Sequence, residues 1–174
     1  PIDDYNLSAT DKAAALESML TNELSEGNND FIYRKLGERL MKLKEKHDDK
    51  DISESKRLLE LESIYEDLKN IEKSKKDFEL DDNSLRVFNI FNNYSTNTDL
   101  NYISNSSKRL IEYLKNNNLL FNGWSNNVST RNETADSIVA ELLNDNYVDL
   151  GFDTNNPNPE YINIIIEELS IMDN

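Results

Sequence analysis

The sequence predicts an all-α fold, an irregular helical bundle that contains an antiparallel helical hairpin and at most a very short strand pair. Three observations carry this. Apolar residues recur at spacings of three and four along nearly the whole chain, and alternation of period two is scarce. Hydrophobic residues make up 37% of the 174 residues, about 39% with the four glycines, against ~45–50% for a typical globular domain. So low a fraction suits thin layers of helices around a modest core. A chain of this length can bury roughly 70% of its extended surface, so a single helical domain over 1–174 is expected, with sub-elements at 1–30, 31–80 and 81–174.

The first helix starts near Thr10, with Ser8 and Asp11 or Thr10 itself available to satisfy free N–H groups. Ala13, Leu16, Leu20 and Leu24 form its apolar side, and Gly27 with Asn28-Asn29-Asp30 ends it. In the second, Ile32, Leu36, Leu40 and Leu43 make one stripe while most basic residues fall elsewhere around the axis. Gly37 lies inside this helix and costs it roughly 1 kcal/mol relative to alanine, so its neighbours compensate or another backbone approaches closely. A third helix runs from Ser53 to Lys76 on Leu58, Leu61, Tyr65, Leu68 and Ile71, after the turn "HDDKD". That short connection makes helices two and three an antiparallel hairpin.

Leu85, Phe88, Phe91 and Tyr94 outline a fourth helix after Asp81-Asp82-Asn83. The polar passage "NNYSTNTDLNYISNSS" reads as a loop or a weak short helix, and Leu110, Ile111 and Leu114 mark a fifth helix. Two polar turn clusters then flank an apolar patch, Leu119 to Phe121 with Trp124. Thr130 and Glu133 have the spacing of a capping box for the helix holding Ala135, Ile138, Val139, Leu142 and Leu143. Asn158 as cap and Pro159 at the first position open the last helix, with Ile162, Ile165, Ile166 and Leu169 inward. "NYVDLGF" and, less favoured than helix, "YINIIIE" are the two stretches with strand character. The predicted core includes Leu36, Leu40, Leu61, Leu68, Phe88, Ile138, Leu142 and Ile165.

The formal charge of −15 is concentrated at the two ends. Residues 31–80 hold 13 basic and 13 acidic residues, whereas 132–174 hold ten acids and no Lys or Arg. On the whole-molecule scale this opposes attraction to DNA, RNA and anionic lipid. The absence of cysteine removes disulfides, thiolate chemistry and cysteine-rich zinc sites, and fits a reducing, cytoplasmic setting. No run of 18 apolar residues and no basic-then-apolar leader occurs, so neither a membrane span nor a secretion signal is expected.

Catalytic patterns are scarce. The single histidine, His47, lies in a charged turn beside Asp48 and Asp49 and reads as a surface residue, not a metal ligand. No Gly-x-Ser-x-Gly elbow is present, and the glycines at 27, 37, 123 and 151 are too dispersed for a phosphate-cradling loop. Asp48, Asp49, Glu54 and Lys56 have the residue types of a Mg²⁺-dependent nuclease, but they straddle a turn and a helix entrance, where Glu54 is favoured by the helix dipole. Glu141 and the other C-terminal acids read as a solvated face. No catalytic, cofactor-binding or metal-ligating residue is therefore assigned.

The stretch "NNDFIYRKLGERLMKLKEKHDDKDISESKRLLELESIYEDLKNIEKSK" resembles the helical C-terminal region of the motor/restriction subunit of type I restriction–modification enzymes. That region has an Asn-Pro-x-Tyr opening, a Leu-x-Glu-Arg-Leu helix, a charged turn and a long Leu- and Glu-rich helix. Tyr33, Leu36, Glu38, Arg39, Leu40, Ile52, Leu59, Leu61 and Leu68 match it. "FELDDNSLRVFNIF" is similar to the family's acidic turn and short aromatic helix, and Trp124 with Arg131 to its Trp segment and Arg-bearing helix. The resemblance covers residues 28 to 172 in order; Asn29-Asp30 stands where the family has Asn-Pro, and Glu133 to Asp136 where it is more basic.

The resemblance implies a parent subunit with a Mg²⁺-dependent nuclease and two ATP-driven DNA-translocating lobes. In that family the helical region helps attach the subunit to its methyltransferase (M) and specificity (S) partners. The start at Pro1 and the length suggest an isolated C-terminal domain of the larger subunit. The expected function is non-catalytic assembly, with ATP and Mg²⁺ used only by the parent and DNA met only through the complex. Tyr33, Glu38, Arg39, Trp124 and Arg131 are candidate interface or structural residues, Arg39 pairing with a carboxylate of helix three or of the partner, and Trp124 packing on Leu119, Leu120, Phe121 and Ile138 or anchoring a partner. The alternatives are an acidic DNA mimic and a helical protein-binding module of another kind.

Overall fold

The computed structural model describes residues 8–26 and 30–173. Among them are seven α-helices and no strand: α1 (Ala9–Ser25), α2 (Phe31–Asp48), α3 (Glu54–Asp77), α4 (Asp82–Tyr94), α5 (Leu100–Asn116), α6 (Val128–Leu142) and α7 (Pro159–Ile171). Short 3-10 turns occupy Trp124–Asn126 and Asp145–Tyr147. The chain divides into two compact units, Pro1–Lys73 and Ser74–Asn174.

In the first unit α1 opens at Ser8, whose hydroxyl accepts the Asp11 N–H and donates to the Asp11 carboxylate. Ala13, Leu16 and Leu20 are buried and Leu24 is half-buried. The predicted stop at Gly27, Asn28 and Asn29 lies outside the described residues. On α2 the buried set is Phe31, Leu36, Leu40 and Leu43. Phe31 takes the place predicted for the half-buried Ile32, since its larger ring removes more apolar surface from water.

Helix α3 buries Arg57, Leu61, Ile64, Leu68 and Ile71, an alternation of four- and three-residue steps that makes a seven-residue seam. The predicted stripe differs at two places, because Leu58 and Tyr65 are half-buried flanks. Ile64 carries no polar tip, whereas Tyr65 stays at the edge with the Lys69 ammonium 4.4 Å from its ring centroid. Between α2 and α3, Lys50 adopts the left-handed conformation (φ 58°), and the N–H of Asp51 donates to the Lys46 carbonyl at 2.8 Å. The chain then returns antiparallel: His47 faces Glu54, and Arg39 faces Ser63 and Asp67.

In the second unit α4 packs on α5 and α7, and α6 packs on the same two helices, so the four form a closed ring around Phe88, Phe91, Leu110, Ile138 and Ile165. Side chains cap their starts: Asp81 for α4, Asp99 for α5, Asn127 for α6 and Asn158, followed by Pro159, for α7. Asn127 replaces the predicted Thr130–Glu133 box, because α6 starts at Val128 and Thr130 already lies inside it, its carbonyl accepting the Thr134 hydroxyl. The ion pair of Arg86 with Glu168 (2.7 Å) ties α4 to α7, with Glu168 only 1% exposed.

Two stretches depart from the sequence reading, for one shared reason. Of the polar passage before Leu110, residues 92–94 end α4 and 95–99 are a loop, as the loop reading expects, but 100–107 are the first half of a long helix, α5, in which Ser104, Ser106 and Ser107 are buried. Their small side chains allow close packing, and backbone carbonyls satisfy two of the hydroxyls: Ser107 donates to Ile103 and Ser106 to Asn146. "NYVDLGF" is not a strand. Its carbonyls at Asn146, Val148, Asp149 and Leu150 accept from Ser106, Tyr102, Ser95 and Tyr161 side chains, and Asp149 also from the Thr96 N–H. Side-chain donors from neighbouring elements do there what a second strand would do. Gly151, at φ 84°, ends this segment against Tyr94, whose Cβ lies 2.5 Å from where a Cβ on residue 151 would stand.

Candidate interaction site

The basic residues of α2 have divided roles. Lys44 donates to the Thr21 hydroxyl of α1 (2.8 Å), and Lys35 lies 3.8 Å from Glu38 and 5.7 Å from the Phe31 ring centroid. Arg39 forks across the hairpin to the Asp67 carboxylate and the Ser63 hydroxyl, the carboxylate of helix three that the sequence reading offered it. The Lys35–Glu38 and Arg39–Asp67 pairs are exposed, worth a few tenths of a kcal/mol to about 1 each. Lys42 and Lys46 follow a different course. They line a cleft of about 340 Å³ between α2 and α3 with Arg39, Lys56, Asp51 and Glu60. Met41 (63% exposed) and Leu59 (65%) are large apolar side chains left in water on the same hairpin.

Near the turn, the seam position Arg57 is only 5% exposed and lies among groups from three helices, pairing with Glu17 of α1 and Glu54 of α3 beside His47 of α2. One guanidinium nitrogen meets Glu17 of α1 at 2.8 Å; the other lies 3.2 Å from both Glu54 and His47 Nε2. His47 Nε2 is 2.8 Å from Glu54, and this shorter contact makes it the donor to that carboxylate. Burial alone would raise the Glu54 carboxyl, but hydrogen bonds from His47 and Arg57 hold it below its ordinary range. The network therefore fixes α1 to the hairpin. It also occupies Glu54, and with Asp48 turned to solvent (83% exposed) the Asp48, Asp49, Glu54, Lys56 set does not converge on a common point. Among the described residues no group of three or more His, Cys, Asp or Glu side chains is placed to hold a metal ion.

In the second unit Trp124 is 2% exposed, in the 3-10 turn that follows Gly123 (φ 84°). The turn is clamped from the end of α7: Asp173 accepts the N–H groups of Gly123 (2.7 Å) and Ser125 (2.9 Å) and the Ser125 hydroxyl (2.6 Å). The Ser125 hydroxyl, followed by these backbone donors, holds the Asp173 carboxyl below its usual range. Trp124 borders a small cleft with Leu120, Asn83 and Leu169, whereas Phe121, a predicted neighbour, is 50% exposed. Arg131 is half-buried near the start of α6, Tyr33 is half-buried on α2 and Glu38 is exposed. Tyr33, Glu38 and Arg39 thus lie on α2, at different angles around its axis, and Trp124 and Arg131 lie in the second unit.

No family model, no curated protein and no solved structure matches the chain. The α2–α3 hairpin presents a charged, partly apolar helical surface. Sequence reasoning missed Arg57 and Asp173. Arg57 precedes Leu58-Leu59 and is hidden by that apolar pair, and nothing local links Asp173 to residues 123–125. No helix of the described residues is long and apolar enough to cross a membrane.

Proposed function

We propose that the chain is a non-catalytic assembly domain of the motor/restriction subunit of a type I restriction–modification enzyme, docking the ATP-dependent translocase and endonuclease onto the methyltransferase and specificity core. The observation that carries this reading is the α2–α3 hairpin. It packs against α1 through α2, gathers Lys42, Lys46 and Lys56 around one cleft, and leaves Met41 and Leu59 exposed elsewhere on its surface, on the stretch that bears the resemblance. Exposed large apolar side chains set among charges are the composition of a polar-rimmed protein interface. ATP and Mg²⁺ belong, on this reading, to other domains of the parent, a site-specific deoxyribonuclease of the cytoplasm, and DNA is met only through the complex.

Binding of the purified chain to a purified type I methyltransferase–specificity core, followed by sedimentation velocity, tests the proposal. Co-sedimentation that leaves methylation intact supports it. Absence of a complex at tens of micromolar rejects it, because a standard-sized interface binds more tightly than that. The net charge of −15 supports one alternative, an acidic mimic of DNA. A mimic would instead compete with duplex DNA for the core and block methylation, with binding lost steeply as salt rises.

A further inference from the structure

The cleft between α2 and α3 combines features that the hairpin does not need for its own stability. Arg39, Lys42 and Lys46 follow one another at steps of three and four on α2, and Lys56 and Glu60 at a step of four on α3, so the two rows face each other across the antiparallel pair. The floor is apolar: Leu43 (5% exposed) and Ile64 (1%) are seam residues, and Ile52 closes the end at the turn. From residue 39 to residue 46 the row runs about 10 Å. Lys44 reaches Thr21 on α1, whereas Lys42 and Lys46, each two positions away and so about 200° around the axis, turn from α1. In a chain of net charge −15, Lys42, Lys46 and Lys56 have no ion-pair partner among the described residues.

We infer that this cleft is the docking site for an acidic segment of a partner protein that carries one aliphatic or aromatic anchor: the anchor enters over Leu43, Ile52 and Ile64, and flanking carboxylates pair with Lys42, Lys46 and Lys56. The identity of the partner rests on the assembly reading given above; the chemistry of the segment rests on the cleft alone. The apolar floor selects a peptide over a nucleic acid: Leu43, Ile52 and Ile64 can cover an apolar anchor, which a bare phosphate does not supply, and the three lysines outnumber Asp51 and Glu60 in the same cleft. A volume of about 340 Å³ suits one or two side chains, not a whole helix.

The test uses the full chain and a fluorescein-labelled peptide of Glu, Ala and a single central Leu, followed by fluorescence anisotropy. Binding is expected to weaken with rising salt, and to fall by roughly tenfold or more in Lys42→Glu/Lys46→Glu/Lys56→Glu. The Lys73→Glu variant, altered at an exposed residue outside the cleft, should bind as the parent does; equal helical circular dichroism in all three proteins excludes unfolding as the cause. Three results would each overturn the inference: no binding of the acidic peptide, an undiminished affinity in the triple variant, or displacement of the peptide by duplex DNA at equal concentration. Loss of core binding with peptide binding intact would refute the assembly reading and leave the cleft; the converse would refute the cleft alone.

Discussion

Gly37 and Gly151 are the same residue under opposite constraints. A Cβ on Gly37 would meet nothing within 4 Å, and the position is helical, so no close backbone approach explains the glycine. Gly37→Ala should therefore stabilise the protein by about 0.5–1 kcal/mol, read as a higher urea midpoint with an unchanged slope. At Gly151 the positive φ and the collision with Tyr94 act together, and Gly151→Ala should cost on the order of 1–3 kcal/mol in the same assay. Trp124 supplies a third case: at 2% exposure its removal should cost about 3–5 kcal/mol, and its fluorescence in the free protein should be blue-shifted and protected from iodide. A strongly red-shifted, readily quenched spectrum would contradict the buried placement. That Gly37 lies in a helix was legible in the sequence; whether anything approached it was not, because spacing along a chain says nothing about what lies across from a residue.

Helical periodicity identified six of the seven helices well, and the failures at α5 and at residues 146–150 come from hydrogen bonding. Serines look like loop residues when their hydroxyls are taken to need water, yet Ser106 and Ser107 find carbonyl partners inside the fold. Extended residues look like a strand when a sheet is assumed to satisfy them; here Ser95, Tyr102 and Tyr161 do so. Of the candidate interaction site, the basic cluster on α2 and its partner helix were legible, but which basic residues are engaged depends on Thr21, which takes Lys44, and Asp67, which takes Arg39, far along the chain. The clamp on the 123–125 turn is an element-scale device with a pH signature. Because the Asp173 carboxyl is held below its ordinary value, its contribution is fully present above about pH 4, and is lost as pH falls through the lower folded value. Acidification from pH 5 to pH 2 should loosen the turn and red-shift Trp124 emission, and Asp173→Asn should remove that part of the response. An identical titration in wild type and variant would show that another group controls the turn.

At the scale of the whole molecule, a chain with net charge −15 leaves three lysines of one cleft without ion-pair partners among the described residues, and exposes Met41 and Leu59 on the same hairpin. This arrangement suits binding, and no described cluster is positioned for metal chemistry. On the proposed assembly reading the purified chain is expected to hydrolyse no ATP and cleave no DNA with Mg²⁺ present; turnover abolished by changing one of its acids would refute that expectation. The most direct measurement is a calorimetric titration of the chain into the methyltransferase–specificity core, run beside the Lys42→Glu/Lys46→Glu/Lys56→Glu variant. Saturable binding by the wild-type chain is expected, with duplex DNA unable to displace it, and much weaker binding by the variant. No heat of binding from the wild type, or full displacement by DNA, would contradict the assembly reading.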